Sequence, residues 1–201
     1  LFRSNSFSTL TRYASQTIQY TPIEAMARPT TLVLFLILAG LWTGSTQAQS
    51  RWFDDVTATH LPQASAIHTL DVSFSDVDGD GDLDVAVAVE HEPNRLYLND
   101  GSGHLTDEAG AFGGGAYDTE HVRTADFNED GHPDVIFVAE DDRRHQYFLG
   151  QQGGTFREVT RRLPGRSEGN ALDVGDVNGD GRPDIVVGNT GDAGQNLLWL
   201  N

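Results

Sequence analysis

Short apolar segments alternate with glycine- and aspartate-rich turns along residues 51–201, and the same order of segments returns about every 50 residues. Three segments rich in β-branched residues, DVAVAVE, DVIFVAE and DIVVGN, follow one another at this spacing and are too short for helices. Each is preceded by one further apolar segment and followed by others, with turns such as HEPN and NDGSG between them. The pattern therefore predicts an all-β fold made of about three four-stranded repeats, and four strands in about 50 residues are typical of a β-propeller blade.

The order of the segments also predicts how the blades begin and end. A first strand is expected in WFDDVT from Trp52, followed by two complete units and three strands of a third. The Trp52 strand would then complete the third blade, and Trp52, Tyr97, Tyr147 and Trp199 would pack between blades. Because three blades cannot readily enclose an axis, we expect a partial propeller that has further blades or self-associates into a six-bladed ring. The open ends would expose the apolar faces of DVAVAV and DIVVGN.

Each unit carries one nine-residue acidic loop, namely DVDGDGDLD, DFNEDGHPD and DVNGDGRPD. All three have oxygen-bearing side chains at positions 1, 3, 5 and 9 and glycine at position 6, where the backbone must turn sharply. Carboxylates packed this densely repel one another, so we expect about three Ca²⁺ ions, one per loop. Position 7 is Asp, His or Arg. Such variation is expected if this residue binds the ion through its backbone carbonyl, because its side chain is then free to vary. The predicted side-chain ligands are Asp76, Asp78, Asp80 and Asp84, then Asp126, Asn128, Asp130 and Asp134, then Asp176, Asn178, Asp180 and Asp184, and the predicted carbonyl ligands are those of Asp82, His132 and Arg182.

Two other interpretations of the acidic loops are less favoured. An EF-hand begins in the same way, but it requires a glutamate at position 12 and flanking helices. Position 12 is Val87, Phe137 or Val187, and strands follow. Ordinary polar turns between strands would explain one such loop, but not three copies that keep all four oxygen positions.

With these motifs the chain resembles the FG-GAP and VCBS-type repeats of Ca²⁺-binding β-propellers, which include integrin α-subunit heads and many exported bacterial proteins. The resemblance rests on the loop D-x-[DN]-x-D-G-x-x-D before a [PL]-D-[VI] strand, on NRLYLNDGSGHLTD at residues 94–107, and on F-x-[DE]-V-T at Phe53 and Phe156. It covers residues 51–201 and implies that each metal loop joins the first two strands of a blade. It does not fix a function, because such propellers serve adhesion, glycan binding and accessory roles in enzymes.

The first 50 residues follow a different pattern. Met26, the only methionine, precedes Arg28, the apolar run TLVLFLILAGLW and the small, polar TGSTQA. This order predicts a secretory signal peptide at residues 26–48 that is cleaved after Ala48, since the run falls short of the ~20 residues that span a bilayer. A buried helix or membrane anchor is the alternative. We interpret residues 1–25 as upstream read-through and residues 49–201 as the repeat domain, secreted to the extracellular space or periplasm without membrane insertion.

The net charge and the sequence motifs limit the classes of function that the chain can have. The formal charge is −17, and it becomes −19 when residues 1–48, with three arginines and one glutamate, are removed. Such an acidic domain is a poor partner for nucleic acid. The chain has no cysteine, no G-x-S-x-G, no H-E-x-x-H and no phosphate-binding glycine loop. The tip EDDRRH at residues 140–145 could bind a ligand, but we favour a solvated hairpin.

These observations predict an exported calcium-binding module for adhesion or scaffolding, with an unidentified protein or glycan ligand, and not an enzyme. The alternative is that the blades are the non-catalytic part of a secreted polysaccharide lyase or hydrolase whose active site lies outside this sequence.

Overall fold

Eleven strands make up almost all of the regular structure in the computed structural model, which describes residues 52–63, 67–190 and 194–201. All pairings between them are antiparallel, and the predicted all-β class is confirmed. The predictions on residues 1–25 and 26–48 lie outside the described residues. No helix among the described residues is long and apolar enough to cross a membrane. The strands are β1 Thr69–Ser75, β2 Asp84–Pro93, β3 Arg95–Asn99, β4 Leu105–Asp107, β5 Ala116–Ala125, β6 Asp134–Ala139, β7 Gln146–Gln151, β8 Thr155–Glu158, β9 Gly169–Gly175, β10 Asp184–Asn189 and β11 Leu197–Trp199.

The strands form three repeated sheets, which we call the first blade (β1–β4), the second blade (β5–β8) and the third blade (β9–β11). Within each blade successive strands are neighbours, as expected for a propeller. The first two blades are joined into one sheet because the far end of β2 pairs with the start of β5, from Glu90 opposite Asp118 to Pro93 opposite Ala116. The third blade is a separate three-stranded sheet.

Each blade has two faces, because side chains alternate along a strand. In the second blade, Val135 and Phe137 pack against the first blade, in a cluster with Ala86, Ala88 and Leu96. The neighbouring side chains of β6, at positions 136 and 138, point the other way and pack against β9 and β10 of the third blade. We call the face of a blade that is turned toward the next blade in the chain its following-side face, and the face turned toward the previous blade its preceding-side face. At both contacts between blades, the following-side face of the earlier blade packs on the preceding-side face of the later blade.

The three packed blades have two outer faces, one on the first blade and one on the third. The exposure of these faces differs from the prediction made for DVAVAV and DIVVGN. In the first blade β2 is buried throughout Asp84–Val89, so the prediction that DVAVAV is exposed is wrong. Its preceding-side face packs Val85 and Val87 with Ile67 and Leu105, and a cavity of about 500 Å³ lies between this face and the segment at residues 57–63. The apolar groups left open are instead on the edge strand β1, where Phe74 is 61 % exposed. In the third blade DIVVGN is exposed on its following-side face only, where Val186 is 40 % exposed.

The predicted strand WFDDVT is wrong. No strand is found at residues 52–56, and a one-turn helix, Thr57–His60, follows. The Asp55 side chain accepts a hydrogen bond from the backbone N–H of Thr57 at 3.0 Å, which starts this turn locally. Without a neighbouring sheet, a strand here would leave its backbone groups unpaired. Trp52 is 93 % exposed, and Tyr97 packs on the outer face of the first blade, so the prediction that they pack between blades is wrong for both. Tyr147 and Trp199 do pack between the second and third blades.

Candidate metal centre

The aspartate at position 1 holds each acidic loop in its curved shape. In the first loop, the two oxygens of Asp76 accept hydrogen bonds from the backbone N–H groups of Gly79 at 2.8 Å and Gly81 at 3.0 Å. Asp176 binds the equivalent glycines of the third loop at 2.7 and 2.9 Å. Asp126 accepts from the N–H groups at positions 5 and 6 of the second loop. The sequence repeat is therefore also a repeat of backbone hydrogen bonds.

The aspartate at position 9 ties the loop to the body of the blade. Asp84 is almost fully buried, and its two oxygens accept hydrogen bonds from the N–H groups of Val77 and Asn99, both at 2.9 Å. Asn99 ends the third strand of the blade, 15 residues further along the chain. The two equivalent aspartates are also buried and make the same pair of bonds: Asp134 accepts from Phe127 and Gly150, and Asp184 accepts from Val177 and Asn201.

Burial disfavours the negative charge of these anchoring carboxylates. It raises the pKa of Asp84, and the nearby charges of Asp78 and Asp80 raise it further, against the effect of the backbone N–H donors. Burial likewise raises the pKa of Asp134, and the hydroxyl of Tyr147 donates to this carboxylate at 3.2 Å. A bound cation beside such a group would favour its ionised form.

The first loop brings its carboxylates close enough together for one ion. Asp76, Asp78 and Asp84 each offer an oxygen, and the three oxygens lie within 4.8 Å of one another. Calcium–oxygen distances are about 2.3–2.6 Å, so oxygens on opposite sides of one ion are up to about 5 Å apart. Asp80, the fourth predicted side-chain ligand, lies outside this group, and its Oδ1 accepts the N–H of Asp82 at 2.9 Å.

In the other two loops, protein donors already occupy the carboxylate at position 5. The side-chain amide of Asn128 donates to Asp130 at 2.9 Å, and that of Asn178 donates to Asp180 at 3.0 Å. In the third loop the guanidinium of Arg182 also donates to Asp180 at 2.9 Å and lowers the pKa of that carboxyl to about 2. An ion coordinated by Asp180 would have to replace these bonds.

The side chains at position 7 make different contacts in the three loops. The carboxylate of Asp82 lies against Gly101, in the turn between β3 and β4. The His132 Cβ lies near Gly150, at the end of a neighbouring strand. The guanidinium of Arg182 instead stays within its own loop, on the carboxylate of Asp180.

The repeat recurs in the comparison with known families. A model described as an FG-GAP-like repeat matches residues 76–137 and again residues 130–187, which together are more than half of the chain. The chain belongs to the FG-GAP-like repeat family. No curated protein matches it. Both matched segments of this FG-GAP-like chain contain an acidic loop and the strand that follows it, the same unit that the hydrogen bonds repeat.

One requirement of the FG-GAP-like loops was missed by the sequence reasoning. Gly81, Gly131 and Gly181 have φ of +99°, +85° and +88°, as expected for position 6. Position 4 also has positive φ in all three loops, with Gly79 at +84°, Gly179 at +79° and Glu129 at +60°. The glycines at position 4 of the first and third loops could have indicated this requirement in the sequence.

A second group of carboxylates in this FG-GAP-like chain was also missed. Asp118 is buried, accepts the N–H of Asp141 at 2.9 Å, and lies in one group with Glu90 and His91 and in another with Glu140 and Asp141. Burial raises the pKa of nearby Glu120, and the charge of Asp118 raises it further. These residues come from three strand ends far apart in sequence, so no local motif marks them.

Proposed function

We propose that this protein is an exported, calcium-stabilised FG-GAP-like module that binds a ligand rather than catalyses a reaction. The observation that carries the proposal is the threefold recurrence of one loop in which the buried position-9 aspartate accepts the N–H of position 2 and the position-1 aspartate accepts the N–H of position 6. Carboxylate oxygens at positions 1, 5 and 9, and a carboxylate or carboxamide oxygen at position 3, provide the hard ligands that Ca²⁺ prefers.

Calcium has a structural purpose in this proposal. The chain has no cysteine, so no disulfide can cross-link its blades. An ion that binds the folded loops and not the unfolded chain stabilises the fold by mass action. Export to a calcium-containing space, through the signal sequence at residues 26–48, would supply that ion.

Isothermal titration of chelator-treated protein with CaCl₂ tests the metal sites. We expect about three ions with dissociation constants of roughly 10⁻⁴–10⁻³ M, as is usual for extracellular modules, and a rise in melting temperature. Asp80→Ala should remove one site, whereas Asp82→Ala, the matched variant two residues away, should weaken binding much less. Titration without calcium uptake and without a change in melting temperature contradicts the proposal.

Export is tested separately, by expressing the chain from Met26. The expected product is outside the cytoplasm and has a new N-terminus near Gln49. Exported material that still begins with Met26 contradicts cleavage.

We also propose that two copies of the chain associate. The outer face of the third blade in each copy would pack on the outer face of the first blade in the other. Inside the molecule, a following-side face always packs on a preceding-side face. The third blade offers a following-side face, where Leu198 is 52 % exposed, and the first blade offers a preceding-side face edged by Phe74. Two such contacts would join three blades to three in one ring.

Light scattering in calcium measures this association directly. The parent should run at the mass of a dimer, and Leu198→Asp, which places a charge in the contact, should run as a monomer. The matched variant Leu83→Asp changes another exposed leucine, which lies in the first acidic loop and not on a strand of either outer face, and should remain dimeric. A parent that is monomeric at every concentration rules out the pairing.

A further inference from the structure

Four arginines surround one cavity in a protein that is otherwise strongly acidic. The formal charge is −17, and all 13 Lys and Arg residues are arginine. The cavity, of about 230 Å³, lies between the β6–β7 hairpin at residues 140–145 and the segment at residues 158–166 that follows β8. The arginines that line it are Arg143, Arg144, Arg161 and Arg166.

The arginines outnumber the acidic side chains at the cavity. Glu158 is the one acidic residue among the described lining residues, against four arginines. Arg143 forms an ion pair with Glu168. For Arg144, Arg161 and Arg166, the described residues provide no ion pair. Glu158 accepts a hydrogen bond from the hydroxyl of Thr160 at 2.9 Å, and Asp142, in the hairpin, accepts the N–H groups of Asp118 and Arg144.

The walls and floor of the cavity hold a fixed shape. The guanidinium of Arg144 lies over the ring of Tyr117, 4.9 Å from its centre, a contact that orients a planar cation. The floor is made by His145 and Gln146, both buried. His145 accepts the N–H of Ala139 and bonds the hydroxyl of Ser167 at 2.9 Å, while Gln146 accepts from Asn94 at 2.9 Å. Burial lowers the pKa of His145 to about 4, so the floor is neutral at physiological pH.

The dimensions fit a small charged group at the end of a larger ligand. Pockets that enclose a whole drug-sized ligand usually measure about 300–1,000 Å³, more than this cavity offers. A second cavity, of about 260 Å³, shares Arg143 and Arg166 with the first. Its other lining residues include Ser167, Asn189 and Gln195, whose polar groups donate and accept hydrogen bonds as hydroxyl-rich molecules do. Glu168, the ion-pair partner of Arg143, also lines it, and Leu197 is the one large apolar side chain among the described lining residues.

We propose that these adjoining cavities are a binding site for an acidic saccharide, in which the arginines hold a carboxylate or sulfate group and the neighbouring cavity holds the hydroxyl groups of the adjacent sugar. Guanidinium groups bind such oxyanions with two parallel hydrogen bonds, an interaction that a lysine cannot reproduce. The site deepens the proposed binding role by naming its ligand class, and it is separate from the metal loops.

The experiment is a calorimetric titration of the full protein in saturating calcium, with blank titrations of each ligand into the same buffer. The probes are trigalacturonic acid, a sulfated disaccharide, a neutral galactose trisaccharide and a triglutamate peptide. We expect one of the two acidic saccharides, or both, to bind, and the neutral trisaccharide and the peptide to bind at least tenfold more weakly. The double substitution Arg144→Gln with Arg161→Gln should weaken saccharide binding at least tenfold, whereas Arg157→Gln, an exposed arginine on β8 outside the cavity, should leave it unchanged.

Three results would overturn the proposal: equal binding of the neutral trisaccharide, equal or tighter binding of the peptide, or unchanged binding by the double variant. All four arginines are exposed, so their loss should not unfold the protein, and Arg166→Gln provides a second, independent variant. Calcium uptake is measured on the same samples. A protein that takes up calcium and binds no saccharide refutes this site while leaving the calcium proposal intact.

Discussion

The first and third acidic loops share a backbone but differ in charge. In both, the position-1 aspartate binds the N–H groups of two glycines and the position-9 aspartate binds the loop and the end of the third strand. The first loop, however, contains five aspartates and no basic residue, whereas the third contains three aspartates and Arg182. The shape of the loop and its charge are therefore set by different positions.

The comparison indicates that different loop positions determine the fold of the loop and its affinity for an ion. Positions 1, 6 and 9 build the scaffold, because their bonds are the same in both loops. Positions 3, 5 and 7 vary in charge and determine how much negative potential remains for a cation, since affinity in calcium loops follows the number of charged ligands. We therefore expect the first loop to bind Ca²⁺ more tightly than the third.

Removing the position-9 carboxylate should have the largest effect and should affect both loops alike. Asp84→Ala and Asp184→Ala each leave two backbone N–H groups without an acceptor, and we expect each to lower the free energy of unfolding by about 3 kcal/mol in calcium-free buffer. Urea unfolding in the presence of a chelator measures this. A large loss in one loop and none in the other would show that the scaffold is not shared.

Acid should act on the fold through a residue outside both loops. Buried His145 has a pKa of about 4 in the folded protein and about 6.5 when unfolded, so below pH 6.5 the unfolded chain binds a proton that the folded protein excludes. Stability should therefore be complete above pH 6.5 and fall by about 3 kcal/mol as pH drops to 4. In His145→Asn this part of the pH profile should flatten, while His68→Gln, an exposed histidine, should keep it. Any loss of stability in acid that remains in His145→Asn would then come from the protonation of carboxylates.

Exchanging charge at position 7 sharpens the comparison of affinities. Arg182→Asp frees the Asp180 carboxylate and replaces a positive with a negative charge, so calcium binding at the third loop should tighten at least about tenfold, a change of about 1.4 kcal/mol in binding free energy. The reverse change, Asp82→Arg, should weaken the first loop by a similar factor. Calorimetric titration of the two variants decides the point, and unchanged affinities would mean that position 7 has no electrostatic role.

The smallest effect is expected at position 4. Gly179→Ala introduces a side chain at a φ of +79° in open space, so only backbone strain should matter, at a cost of about 1 kcal/mol. Glu129→Gly relieves the same strain in the second loop and should be neutral or slightly stabilising. Thermal unfolding of the two variants should move in opposite directions or differ by a few degrees; equal destabilisation would contradict this explanation.

Much of the fold was predictable because its signals are local. The β-branched segments around Val85, Val135 and Ile185 alternate with turn residues, and that pattern is sufficient to place the strands and the acidic loops. The one strand that was predicted wrongly, at Trp52, resembles the true strand segments in sequence. It lacks a neighbouring sheet to pair with, and a local sequence pattern cannot show this.

The features that sequence could not provide depend on distant contacts. Phe112 lies in a glycine-rich loop, yet it is buried against the rings of Phe137 and Phe148. The bond between Asp84 and the N–H of Asn99 involves a backbone group, which has no residue-type signature. The arginine cavity assembles from segments on either side of β7 and β8, so the EDDRRH tip alone looked like a solvated hairpin.

The bond from each loop to a third strand also sets the order in which the loops can be completed as the chain emerges during synthesis. The first loop cannot acquire its full hydrogen-bond set until residue 99 has emerged, the second until residue 150 and the third until residue 201. If the chain is exported and binds calcium as we propose, the loops would therefore be completed one blade at a time, and folding would be coupled to the calcium concentration outside the cell.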